Sequence, residues 1–128
     1  MKNTAVIGLG SNIDPQKNIP AARRLLAQEF LVLKESAFIR TKPVGFSEQE
    51  DFINGSVYVE TPLKRPELKE KLKDLEKRLG REVSPIKYGP RSIDMDIIVF
   101  NSKVVDKDFY EREFLQKAVL ELIPDLEY

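Results

Sequence analysis

Residues 88–100 read YGPRSIDMDIIVF, from Tyr88 to Phe100, and how this stretch folds decides how the rest of the chain is arranged. A Gly-Pro turn leads through Arg91 into an apolar run that is interrupted by Asp94 and Asp96. In an extended chain, alternation puts Ile93, Met95, Ile97 and Val99 on one face and Asp94, Asp96, Ile98 and Phe100 on the other. The two carboxylates then stand side by side, with Cα atoms roughly 6.5 to 7 Å apart, near enough to share a cluster of hard cations. Two readings stay open. A half-exposed antiparallel strand alternates in this way. Against that, aspartate is disfavoured in strands, and like charges this close call for a cation such as magnesium, which takes oxygen ligands and contacts substrate phosphates.

Working outward, the segments before this strand alternate between strand and helix patterns. Thr4–Leu9 is an apolar run ending in Gly8, Gly10, Ser11 and Asn12. Its partial resemblance to a dinucleotide fingerprint fails at Ile13, where glycine is required. Asp14-Pro15 reads as a cap and first turn for a helix with Ile19, Ala22, Leu26 and Phe30 at helical spacing, and Pro20 either kinks it or delays its start. A second strand is predicted over Leu31–Ile39, followed by an irregular loop over Arg40–Asp51. Phe52–Thr61 is a third strand with Gly55 as a weak point or bulge.

Arg65-Pro66 opens a second helix with the stripe Leu68, Leu72, Leu75 and Leu79, closed by Gly80. A loop over Arg81–Lys87 leads back to the opening stretch. Asn101-Ser102 turns a short hairpin, and Asp108 with Glu111 resembles a capping box before a helix with Phe114, Ala118 and Leu122. The order βαββαβ plus a C-terminal hairpin and helix is an α+β, ferredoxin-like arrangement: a mainly antiparallel sheet with helices packed on it, expected as a single domain over residues 1–128.

Composition narrows the chemistry. The 21 basic and 21 acidic residues balance without long blocks of either sign, so neither nucleic acid nor a membrane surface is expected as a partner. No apolar stretch reads as a signal peptide or a span, and a cytoplasmic location is expected. The chain has no cysteine and no histidine, which excludes thiolate chemistry, imidazole bases and imidazole metal sites and leaves carboxylates, cations and bound metal. Arg81, Lys87 and Arg91 bracket the aspartates. Each alone reads as a surface charge, but together they suit phosphate oxygens. Phe52, Tyr88 and Phe114 read as core aromatics, and Asn54, on the face of Phe52, either steadies a turn or reads the edge of a stacked heterocycle.

With these pieces in order, the sequence resembles the 6-hydroxymethyl-7,8-dihydropterin pyrophosphokinase family of folate biosynthesis. The likeness rests on GLGSN, RTKPVG, DFIN, LEKRLGR and YGPRSIDMDI, spread over nearly the whole chain. It implies a ferredoxin-like fold and an ATP-dependent transfer of pyrophosphate to the pterin hydroxymethyl group, with two magnesium ions and release of AMP. It makes Asp94 and Asp96 the magnesium ligands and places the pterin between Phe52 and Phe114. Asn54, Thr41 and the backbone around Val44 would read the pterin edge. Glu76, Lys87, Tyr88, Ile97 and Arg112 would serve the nucleotide side, with Tyr88 also near the pterin, and Arg81 and Arg91 would handle the triphosphate. The chain departs from the family pattern in three places: Val83 replaces an arginine, Lys73 replaces a neutral polar residue, and the segment from Val105 to Arg112 is shortened and lacks a Pro-His pair. These departures keep a catalytically weakened pterin- or nucleotide-binding homologue in view as the alternative. A ferredoxin-like regulatory domain is a third reading, which would leave Asp94 and Asp96 without a role. The sequence assigns no oligomeric state.

Overall fold

Residues 2–43, 48–80 and 92–128 are described by the computed structural model. Val44, Arg81, Val83, Lys87, Tyr88 and Arg91 therefore lie outside the described residues, as does the Gly89-Pro90 turn. The element order is β1 (Asn3–Ser11), α1 (Pro15–Glu29), β2 (Leu31–Glu35), β3 (Ile39–Thr41), β4 (Phe52–Thr61), α2 (Arg65–Arg78), β5 (Asp94–Phe100), β6 (Lys103–Val104), α3 (Asp108–Glu111) and α4 (Glu113–Leu122). Among the described residues the strands form one antiparallel sheet in the order β2-β4-β1-β5-β6, and β3 pairs with β4. In this ferredoxin-like α+β layout β4 lies between β1 and β2, the split βαβ pattern predicted by the element order. Among the described residues no helix is long and apolar enough to cross a membrane.

Each face of the sheet carries its own core. Ala5, Ile7 and Leu9 of β1 and Met95 of β5 meet Ile19, Ala22 and Leu26 of α1 and Leu68, Leu72 and Leu75 of α2. Val6, Ile98 and Val99 meet Phe109 of α3 and Leu115, Val119 and Leu122 of α4 on the opposite face. Each fully buried aliphatic side chain contributes about 1.5–3 kcal/mol, so the leucine stripe of α2 is enough to seat that helix. α2 then ends as its sequence predicts, with Gly80 in the left-handed region at φ 84°. The β5–β6 hairpin turns through Asn101 and Ser102, both at positive φ (49° and 66°), the geometry that a two-residue hairpin needs.

Several expectations change. Val99 and Phe100 exchange faces: Val99 packs with Ile98, and Phe100 packs with the first cluster. The cause is a bulge, since Val6 faces Val99 while Ile7 faces Ile97, which leaves Ile98 as an extra residue that breaks the alternation. The strand predicted over Leu31–Ile39 is two strands. At the break, the Ser36 hydroxyl accepts the Ser56 N–H at 2.8 Å, and the Ser36 N–H donates to the Ser56 carbonyl at 2.9 Å.

Arg40 and Thr41 consequently belong to β3 and not to the loop. Gly55 is no bulge, because its register with Leu9 is continuous. A Cβ there would stand 2.5 Å from the Phe38 ring, so glycine is needed for close approach. Pro20 lies inside α1 without delaying its start at Pro15, and Asp14 caps with its backbone carbonyl, accepting Lys17 N–H at 3.0 Å and Asn18 N–H at 2.9 Å. The predicted Asp108–Glu111 box does not form: the N-cap of α3 is Lys107 with no side-chain cap bond, and the Asp106 Oδ1 just before it accepts the Asp108 N–H at 2.9 Å. Arg112 is extended (φ −121°) and separates α3 from α4, so the buried stripe is Leu115, Val119 and Leu122 instead of Phe114, Ala118 and Leu122.

Candidate functional site

Asp94 and Asp96 open β5 and stand across from Gly10 and Gly8 of β1, which in turn face Asn54 and Ser56 of β4. Cross-strand partners share a face, so both aspartates and Asn54 lie on the side covered by α4. With strands spaced about 4.8 Å, Asn54 and Asp94 are roughly 10 Å apart, separated only by the backbone at Gly10. A Cβ at Gly10 would stand 2.6 Å from Asn54 Oδ1, so the amide leans over β1 only because glycine is there. Gly8 gives the same room to Ile98 and Leu115.

Asn54 is held from its other side. Its Nδ2 donates to Thr41 Oγ1 on β3, which turns Oδ1 toward Gly10. Phe52 sits two residues away on the same strand face, and its ring edge is 3.7 Å from the Gly10 Cβ position. Phe114, at the start of α4, packs half-buried against the second core cluster. The structure thus brings Thr41, Phe52, Asn54, Asp94 and Asp96 to one end of one face.

Electrostatics distinguish the two carboxylates. Burial, the charge of Asp94 and a hydrogen bond to Asp94 push Asp96 up to about 8, while Lys73 pulls it down and Glu76 raises it further. The pair therefore carries a proton at neutral pH and forms a half-buried, oxygen-rich locus that a divalent cation would neutralise. Among the described residues no third Asp or Glu completes a protein-only metal cage. Two carboxylates suit magnesium, which takes its remaining ligands from water and phosphate.

On the other side of β5 a cleft of about 360 Å³ opens between α2 and the β5–β6 hairpin, lined among others by Arg65, Lys69, Lys73, Asp96, Ile97 and Asp106. Asp96 therefore borders this cleft as well as the face that carries Asn54. Ile97 lines this cleft, and Glu76 is not among its lining residues. Glu76 is only 3% exposed, and its Oε2 accepts the Met95 N–H at 2.7 Å. Arg112 lies at the α3–α4 junction, where its charge favours ionised Asp106.

Sequence reading gave no site role to Asp106, Arg65 or Lys69, and noted Lys73 only as a departure from the family pattern. Burial comes first in raising the Asp106 carboxyl above its ordinary range, and the charge of Asp94 adds to it. Asp106, two residues before Asp108, carried a turn signal, and its carboxylate does accept the Asp108 N–H. The functional sense of Gly10 was likewise legible in the alternation of Gly8 and Gly10 along an apolar strand.

A family profile described as 7,8-dihydro-6-hydroxymethylpterin-pyrophosphokinase matches residues 6–124. The 2-amino-4-hydroxy-6-hydroxymethyldihydropteridine pyrophosphokinase of Bacillus subtilis is 35% identical over 99% of this chain and 82% of its own length. The protein of the same name from Haemophilus influenzae is 30% identical over 96% of this chain and 83% of its own length. A folate synthesis bifunctional protein of Arabidopsis thaliana is 33% identical over 92% of this chain, which spans 26% of that longer protein. The match over almost every described element, together with this identity, means that the chain belongs to the 7,8-dihydro-6-hydroxymethylpterin-pyrophosphokinase family.

Proposed function

We propose that this chain transfers the pyrophosphoryl group of ATP to the hydroxymethyl oxygen of 6-hydroxymethyl-7,8-dihydropterin, releasing AMP, as a step of folate biosynthesis. The observation that carries the reading is the position of Asp96, which shares a sheet face with Asn54 and at the same time lines the cleft beside α2. An acceptor on the first side and a triphosphate on the second would meet at this residue.

In this reading the pterin stacks between Phe52 and Phe114. Because the Asn54 Nδ2 is committed to Thr41, its Oδ1 is left to accept N–H groups from the pterin edge. The nucleotide occupies the cleft against Ile97, with Lys69, Lys73 and Arg65 offering positive charge to its phosphates. Asp94 and Asp96 would hold magnesium, two ions in all with phosphate and water completing the ligands, and bound magnesium supplies charge compensation for the triphosphate.

The hydroxymethyl oxygen gives up its proton, ultimately to solvent, as it forms its bond to the β-phosphorus, while the bond from that phosphorus to the bridging oxygen breaks and this oxygen leaves with AMP. The side chains orient the two reactants in line and keep water out. Arg81 and Arg91 join the triphosphate in this reading, as do Lys87, Tyr88 and Arg112 on the nucleotide side, and the backbone at Val44 lies at the pterin edge. Soluble substrates of this kind fit a cytoplasmic domain spanning residues 1–128 that needs neither nucleic acid nor membrane.

A second reading, pterin binding with weakened turnover, is favoured by Val83 and by the shortened segment between Val105 and Arg112. Incubation with pterin, ATP and magnesium separates the two. AMP formed at a steady rate supports transfer, while pterin binding without AMP supports the second reading.

A further inference from the structure

The resemblance puts Glu76 among the nucleotide contacts, but the geometry points to a different role: we infer that Glu76 is a positioning residue, which fixes the strand segment carrying Asp94 and Asp96 by holding the Met95 amide. This inference rests on the proposed reading of the two aspartates as magnesium ligands. Among the described residues β5 is an edge at this point. Its inner side pairs with β1 from Asp94 to Phe100, whereas β6 pairs only with Val99 and Phe100. Among the described residues no strand receives the outward amide of Met95, and a buried N–H without a partner is costly.

Glu76, in the last turn of α2, supplies the acceptor from a side chain that is 3% exposed, at 2.7 Å. Its other oxygen lies 3.4 Å from Lys73 Nζ, so the buried charge has a cation beside it. Met95 is flanked on both sides by the aspartates, and one bond to its amide sets the height and twist of the segment that presents both carboxylates. Partners that hold a metal-ligating segment in this way typically govern affinity by 10–100-fold.

Two variants separate an acceptor role from a charge role. Glu76→Gln keeps an oxygen acceptor and removes the charge. Glu76→Met fills the same space with neither. Hydrogen exchange at the Met95 amide reports the bond directly, and protection at Leu72 and Val57 reports that the core is intact. Magnesium chloride is then titrated at saturating α,β-methylene ATP while the Asp94 and Asp96 amide resonances are followed by NMR.

The expected result is that Glu76→Gln keeps Met95 protection and a magnesium midpoint within about threefold of the parent protein. Glu76→Met should lose that protection and raise the midpoint by roughly tenfold or more. Equal losses in both variants would overturn the inference and assign the role to the charge. An unchanged midpoint in Glu76→Met despite lost Met95 protection would overturn it too. If the parent protein itself shows no magnesium response, the metal reading fails and the inference falls with it. That failure is distinguishable because it appears before any substitution is made.

Discussion

Asp96 shares a hydrogen bond with Asp94 and, chiefly because it is buried, titrates at about 8, far above an ordinary aspartate. Loading the pair with a cation therefore expels a proton. Magnesium should bind more tightly as pH rises from 6 toward 9, with the slope flattening above about 8, where the carboxyl is already ionised. The midpoint of a magnesium titration at several pH values checks this, and a flat profile over that range would contradict it.

The same shift has a consequence for stability. Between the ordinary aspartate range and about 8 the folded protein holds a proton that the unfolded chain has lost, so stability falls as pH rises through this window. Asp96→Asn removes the group that must be ionised while half-buried beside Asp94. Its melting temperature at pH 8 should lie a few degrees above that of the parent protein, and the difference should shrink toward pH 4. Calorimetry at the two pH values reads the effect, and a lower melting temperature at pH 8 would refute it.

Gly10→Ala should act on the pterin and spare the nucleotide. Its new methyl would stand 2.6 Å from Asn54 Oδ1, and the amide cannot retreat without breaking its bond to Thr41. Losing one or two hydrogen bonds of this kind should raise the KM for pterin about 10- to 100-fold, with the KM for ATP nearly unchanged. Steady-state kinetics with each substrate varied in turn distinguishes this from general damage.

Gly55→Ala is the matching control on the other face of the sheet. There the methyl would strike the Phe38 ring at 2.5 Å, and the ring is also capped by the Arg23 guanidinium at 4.9 Å. Overpacking of this kind should cost about 1–3 kcal/mol in urea unfolding. Both KM values should hold, since Phe38 packs against the α1 and α2 side.

What could be read from the sequence followed from periodicity and punctuation. The span of β4, the leucine stripe of α2 and the Asn101-Ser102 turn all carry local signals, and each forms where the pattern predicts. The exchange of Val99 and Phe100 carried no such signal, because the extra Ile98 is defined by its pairing with β1 and not by its own neighbours. The break at Arg112 likewise rotated the buried face of α4 without any proline or glycine to announce it.

In the site, Asp94 and Asp96 were conspicuous because carboxylates are rare in an apolar strand. Asp106 was not, since only the β5–β6 hairpin brings it to the cleft that Asp96 lines. The bond from Met95 to Glu76 depends on β5 being an edge among the described strands, a property of sheet order that no short window of residues contains.

If the chain moves two phosphates together, the fate of a phosphorus label will show it. The protein is incubated with the pterin, magnesium and ATP labelled in separate reactions at the α- and γ-phosphorus. The account predicts that γ-label appears in the pterin product and α-label in AMP, in equal amounts. α-Label recovered in ADP, whether or not the pterin is labelled, or γ-label recovered only as inorganic phosphate, would contradict it.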